Sequence, residues 1–422
     1  MKKRAYRRTV IKNFEPRVLE KRTECRELVL AIDVAKHDMV AALTTKEAEV
    51  LATLAWKHLE ETPEMIEKLR ALQELGYSVE AVMESTGSYG DVLRQQLQEV
   101  GVVVYQVSGK RVHDARVVYD GVASSHDAKS SAIIAKLHAD GHSSVWEPKR
   151  AAARELKAAV STMDLYQVQY QRLVHQLEGW LARHWPEVTQ LVELTSATLL
   201  AVLADVGGPG DVAGNLEKTR ELMGSVSRRL MKPEKIDRVL QSAQQTVGIE
   251  LLAEERVALM TLAGEAQRSM RACKAAKLHV ERLAQGGPSE ALAPAVGKTT
   301  AAVLVTEVGD PRDFPCARAY VKAFGLNLKE RSSGKHQGRL AISKHGSGRA
   351  RQYLWLAVFR WRQRDPVAAA WYDAKVRRDG GGKARAVIGL MRKLVKALFH
   401  LARGDAFDSR KLFDARRLGV AA

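Results

Sequence analysis

The chain contains no run of about eighteen consecutive apolar residues, so nothing in it reads as a membrane-spanning helix. Its three cysteines, Cys25, Cys273 and Cys316, are too few and too scattered for a disulfide framework or a zinc site. The opening stretch MKKRAYRRTVIKNFEPRVLEKR is basic but lacks the apolar segment of a secretory signal, and Glu15 and Glu20 count against a transit peptide. No repeat of solenoid period is evident. These absences predict a cytoplasmic protein with reduced thiols and no membrane partner. At 422 residues the chain can bury ample core and is expected to hold two or three domains.

Acidic residues are also scarce at both ends, and this is more informative than the net charge of +18. Residues 1–22 hold nine Lys/Arg against two acids, a net +7. Residues 291–422 hold 27 Lys/Arg against ten acids, a net +17, which leaves −6 for the residues between. Basic ends around a mildly acidic middle predict a polyanionic partner, most simply nucleic acid.

What is present divides by pattern. LVLAID (28–33) and DMVAALTT (38–45) read as the strands of a hairpin. ETPEMIEKLRALQEL (61–75) has helical spacing and stops at Gly76; YSVEAVMEST reads as a strand, DVLRQQLQEV as a helix stopped by Gly101, and VVVYQVS as a further strand. From His126 the pattern turns helical through Ile133, Ile134 and Leu137. Alternating strands and helices predict an α/β domain over 25–148, after a basic N-terminal extension, 1–24.

Beyond 149 the chain reads as helical. Leu156, Ala159, Met163, Tyr166, Tyr170, Leu173, Leu177 and Trp180 recur at spacings of three and four until Pro186. A weaker seam runs through Leu252, Leu259, Leu262, Ala266, Cys273, Ala276, Val280 and Leu283. Two such helices fit either an antiparallel coiled coil or an ordinary bundle over 149–289, with GGPGDVAGN (207–215) as a break between them. QGGPSEALAP (285–294) reads as a linker into a C-terminal domain, 290–422. There, AVGKTTAAVLVTEVG (295–309) is an apolar helix opened by Val296-Gly297-Lys298. It resembles half of a helix-hairpin-helix, whose glycine turn offers N–H groups to a phosphate; a Gly-started core helix fits as well.

Three acids stand in contexts that suit chemistry. Asp33 and Glu84 each end an apolar strand, and Asp127 opens a helix, which is how an RNase H-like fold gathers carboxylates into one Mg²⁺ site. Converging carboxylates repel unless a cation lies between them. A fourth acid is expected three residues after Asp127, but Ser130 stands there; it brings a hydroxyl and no charge, so one metal should bind more strongly than a second. A second constellation is Ser332-Ser333-Gly334 among Arg331, Lys335, His336, Arg339, Lys344 and Arg351, with Arg349 nearby. A serine is a poor nucleophile unless a base, cations or metal stabilise its alkoxide. Arginines would suit that task, yet the residues alone favour a loop that only grips phosphate.

AIDVAKH, MESTGSY and SHDAKSSAIIAKL, with the run VGKTTAAVLVTEVGDPRDF…AYVKAFGLN…RSSG…GRLAISKHGSGRARQYL, resemble the "IS one-ten" insertion-sequence transposases and Piv-type DNA invertases. The resemblance implies a RuvC-like DEDD domain, a coiled-coil stalk and a serine-bearing transposase domain, working as a dimer or tetramer in the bacterial cytosol near the nucleoid. It implies that Ser333 forms a covalent bond with DNA, assisted by Mg²⁺ or Mn²⁺ at Asp33, Glu84 and Asp127, with Ser130 at an altered fourth position. It further implies a bridge RNA that pairs with donor and target DNA, and nucleic-acid contacts from Lys298, Arg331, Lys335, Arg339, Lys344, Arg349 and Arg351. Two other readings remain: a metal-dependent junction-type endonuclease in which Ser333 only grips phosphate, and a non-catalytic RNA/DNA-binding derivative.

Overall fold

A computed structural model describes residues 7–85, 87–119, 126–330, 338 and 340–413 of the chain. It divides into two compact units, Met1–Lys149 and Arg150–Ala422.

The first unit is a mixed α/β domain. Its strands are β1 (Arg8–Val10), β2 (Glu27–Asp33), β3 (Asp38–Thr45), β4 (Val50–Lys57), β5 (Ser78–Glu84), β6 (Val103–Val107) and β7 (Ser144–Val145). They form one sheet in the order β1-β4-β3-β2-β5-β6-β7. The β2–β3 and β3–β4 pairs are antiparallel, whereas β2–β5 and β5–β6 are parallel. The helices are α1 (Thr62–Glu74), α2 (Asp91–Glu99), α3 (Gly109–Ala115) and α4 (Asp127–Ala139). The predicted hairpin, strands and helices are found within a residue or two. Gly76 and Gly101 do end α1 and α2, both with positive φ (82° and 77°), where a side chain would be strained.

Strand alternation explains the two layers. Leu28, Leu30 and Ile32 of β2, with Ala81 and Met83 of β5, point into a core shared with α1 and α2. Val29, Ala31 and Val82 point to the opposite face, where Val112 and Ala115 of α3 and Ile133, Ile134 and Leu137 of α4 cover them. The basic N-terminal segment is more than an appendage. Arg8–Val10 pairs with β4 in parallel, and Ile11, Phe14 and Leu19 are buried in the α1/α2 core.

Among its described residues the second unit is helical apart from a two-residue pair of strands, β8 (Leu328–Lys329) and β9 (Ala341–Ile342). In chain order its helices are α5 (Ala151–His184), α6 (Val188–Leu191), α7 (Ala197–Asp205), α8 (Pro209–Gly214), α9 (Leu216–Val226), α10 (Pro233–Gln244), α11 (Ala253–Leu283), α12 (Ala293–Val296), α13 (Lys298–Val308), α14 (Ala317–Ala323), α15 (Gly348–Arg364), α16 (Pro366–Arg378) and α17 (Lys383–Leu401). The two long helices pack antiparallel. Val160 and Met163 near the start of α5 meet Val280 near the end of α11, and Leu177 and Leu181 meet Leu259 and Ala263. The seam residues face inward, except Leu252, which precedes α11 and is exposed.

Three expectations need correction. The stretch read as a break, 207–215, contains helix α8, because Pro209 at its first turn and the Asp211 carboxylate accepting from Gly208 N start a helix despite the glycines. The stretch read as a linker buries Ser289 and Leu292 and begins α12, so it belongs to the core. In the run read as one helix, 295–309, Gly297 has φ +86° and separates α12 from α13.

Candidate active site

The register of the sheet places the first two acids side by side. Ile32 pairs with Met83 on the parallel neighbours β2 and β5, so Asp33 and Glu84 follow at the same carboxyl-terminal edge. Parity then fixes their face. Asp33 shares the side of Val29 and Ala31, and Glu84 that of Val82, which is the face covered by α3 and α4. On that face α4 presents Asp127 in its first turn and Ser130 one turn on. Ligand sites of open α/β sheets form at this edge of parallel strands.

Asp33 is largely withdrawn from water. Burial, then the charges of Glu84 and Asp127, push its carboxyl up to about 6, against weaker opposing effects from Arg116 and a hydrogen bond with Ser130. Burial also raises Glu84, with Arg116 opposing. The buried Ser130 hydroxyl therefore stands beside Asp33 as a hydrogen-bonding partner without adding charge. Asp127 is about half exposed and pairs with Arg8 of β1 at 3.0 Å. Such an exposed pair is worth up to about 1 kcal/mol, so it yields readily to a stronger cation.

Three further residues shape the site, and none was singled out from sequence. Arg116, just past α3, sets positive charge near both Asp33 and Glu84. The buried Arg94 of α2 donates to the Glu84 carbonyl at 2.8 Å and pairs with Asp91 at 2.7 Å, which fixes the end of β5. Gly109 opens α3 against Glu84, where a Cβ would collide with Glu84 Oε1. Arg8 and Arg116 lie in basic stretches that carry no spacing signal. Gly109 could have been noticed only as a glycine after a strand.

Among the described residues no three His, Cys, Asp or Glu side chains are gathered closely enough to form a metal-holding group. The donor set still fits a hard divalent cation: it consists of oxygens, and Asp33 and Glu84 are desolvated acids whose ionisation a cation would favour.

Of the C-terminal residues, Ser333, Arg331, Lys335 and Arg339 lie outside the described residues. Lys298 opens α13 beyond Gly297. Lys344 follows β9 with φ +58°. Arg349 is engaged by Asp164 at 2.6 Å and Glu307 at 3.2 Å, and Arg351 donates to the carbonyls of Phe324 and Gly346. Both arginines thus already have partners within the unit. No described helix is long and apolar enough to cross a membrane.

Comparison with known proteins matches the chain in two places. A DEDD-type IS110 transposase family fits residues 30–186, and the family described as "Transposase IS116/IS110/IS902 family" fits residues 292–373. The "Insertion element IS110 uncharacterized 43.6 kDa protein" of Streptomyces coelicolor is 23% identical over 349 residues, covering 79% of this chain and 84% of that protein. The first match begins in β2 and takes in Asp33, Glu84, Asp127 and Ser130, while the second runs from the start of α12 into α16. The chain belongs to the IS110 family of insertion-sequence transposases, enzymes that cut and rejoin DNA.

Proposed function

We propose that this transposase cuts and rejoins DNA through a covalent bond to Ser333, with an RNase H-like, RuvC-like sheet domain holding a divalent cation, Mg²⁺ or Mn²⁺. The observation that carries the metal half is the register of β2 and β5, which sets Asp33 and Glu84 at one sheet edge beneath Asp127. The central strand order β4-β3-β2-β5-β6, with only β3 running against its neighbours, supports the fold assignment. Asp33, Glu84 and Asp127 are the ligands in this reading, and Ser130 holds Asp33 from the fourth position. Bound there, the ion supplies positive charge to a phosphate oxygen.

The Ser333 hydroxyl oxygen bonds to phosphorus as the bond to one DNA oxygen breaks. The serine proton is lost to solvent or a base, and the departing DNA oxygen gains one. A hydroxyl of a second strand reverses the exchange, which rejoins DNA and restores the serine. One phosphodiester replaces another at each step, so no external energy source is needed. Lys298 and Lys344, with Arg331, Lys335, Arg339, Arg349 and Arg351, serve the nucleic acid in this reading. The Gly297 turn acts as a helix-hairpin-helix element, and α5 with α11 forms a coiled-coil stalk joining copies into a dimer or tetramer. A bridge RNA from the element's own flank guides target choice.

Incubating wild type with a matched guide and DNA pair should leave a protein–DNA adduct that survives denaturant and disappears with Ser333→Ala. Cleavage with free ends and no adduct would replace this reading with the junction endonuclease. Salt-sensitive binding without strand transfer in Mg²⁺ or Mn²⁺ would replace it with the non-catalytic derivative.

A further inference from the structure

The second unit contains a groove of about 960 Å³ bounded by α5, α11, the α12–α13 turn and α15. Its walls are unevenly charged. Lys274 and Lys277 stand one turn apart on α11, Arg360 and Arg364 one turn apart on α15, and Lys298 lies at the turn between α12 and α13. Among the described residues two acids line the groove, and both are occupied. Glu281 accepts from the Thr299 hydroxyl, and Asp365 caps α16 through Val367 N and Ala368 N while accepting from Trp361 Nε1 at 3.1 Å. Arg360 is fixed at the wall by Thr300 Oγ1 at 2.9 Å. Lys274, Lys277, Lys298 and Arg364 form no ion pair among the described residues.

We propose that this groove binds a single-stranded nucleic-acid segment through its phosphates. Cations at one-turn intervals on facing helices form two rows roughly 5–6 Å apart in step, suited to a linear polyanion more than to a compact ligand. The groove offers charge and almost no base-reading groups. The Gln167 amide oxygen accepts from the Tyr353 hydroxyl and Trp361 Nε1 donates to Asp365, so charge outweighs base-reading groups in the groove and the expected binding depends weakly on base sequence. A positively charged groove that tracks one backbone is the form single-strand binders use, and the duplex arm of the test below decides between one strand and two. The inference rests on the family's action on nucleic acid and not on Ser333 or on metal.

The test uses full-length protein carrying Ser333→Ala, in EDTA, so that catalysis plays no part. Affinities for oligo-dT, oligo-U and a duplex, each of about 16 nucleotides, are measured from low to moderate salt. The triple variant Lys274→Gln, Lys277→Gln, Arg364→Gln should lower the slope of log K against log salt by about 2 on a single strand, since each lost phosphate contact contributes about 0.7. A control triple outside the groove, Lys218→Gln, Arg228→Gln, Arg229→Gln, should leave the slope unchanged. A loss with oligo-dT, oligo-U or both supports the proposal and identifies the strand. An unchanged slope, an equal loss in the control, or a loss confined to duplex overturns it. Without any variant, acetylation of Lys274 and Lys277 should be suppressed by the bound strand, and equal labelling with and without it also overturns the proposal. With wild-type protein and a matched guide and DNA pair, a missing adduct beside an intact groove effect would count against the serine mechanism alone.

Discussion

An ionised carboxylate at Asp33 meets burial, Glu84 and Asp127, and only Arg116 and Ser130 act in its favour. Because its value in the fold, about 6, lies above the ordinary 3.8, the neutral acid is the form the fold prefers. That preference is fully present below the ordinary value and is lost as pH rises through about 6. Asp33→Asn should therefore stabilise the metal-free protein at pH 8, by about 0.5–2 kcal/mol in urea unfolding, while abolishing DNA cutting. The gain should vanish at pH 4; a destabilised variant at pH 8 would show that Asp33 is not under electrostatic strain. At this scale the sequence exposed the acids because each stands at the end of an apolar pattern. Arg8 and Arg116 escaped notice because their positions depend on chain reversals between distant segments. Neither the parallel pairing of β1 with β4 nor the turn after α3 leaves a periodic trace.

Elements were legible where periodicity was long. The α5 and α11 seams, the β2–β3 hairpin and α1 to β6 all follow patterns that the fold respects. Strand β4 was missed, though Leu54 and Trp56 are buried, because VLATLAWK alternates imperfectly and follows the charged turn KEAE. Helix α8 was missed because glycine-rich composition suggested a loop, whereas local capping decided the outcome. What holds the long helices to the C-terminal elements is a polar junction that no sequence pattern announces. Glu307 of α13 is only 11% exposed and joins Lys157 of α5 at 2.8 Å, Arg349 of α15 at 3.2 Å and the Ser347 hydroxyl at 2.6 Å. Burial raises its pKa, but those partners outweigh burial and hold it below the ordinary 4.5. Its contribution is therefore present above that value and lost as pH falls through the lowered one. Glu307→Gln should destabilise the second unit by about 1–3 kcal/mol at neutral pH, less than a fully buried pair because Asp164 still holds Arg349. An effect below about 0.5 kcal/mol in denaturant melts would mean the junction contributes no more than an exposed pair.

Among the described residues, each hydrophobic core lies entirely within one unit. Two clusters line the faces of the sheet in the first, and three serve the helices of the second. The charge map read from sequence concentrates basic residues in 291–422, and α11 adds Lys274 and Lys277 to the same groove from outside that range. Sequence alone could not join them, because α11 carries those lysines as an ordinary solvated helix face until the fold sets them opposite Arg360 and Arg364. A fragment comprising Arg150–Ala422 has its own cores and all the groove residues, so it should unfold cooperatively when expressed alone. It should also keep the salt-dependent single-strand affinity of the full chain, within about 1 kcal/mol, whereas Met1–Lys149 should lack the component lost in the groove variant. Calorimetry of both fragments beside the intact chain checks the first expectation, and salt titration checks the second. A second fragment that melts without cooperativity, or folds but binds single strands no better than the first, would show that binding is assembled only by the complete chain.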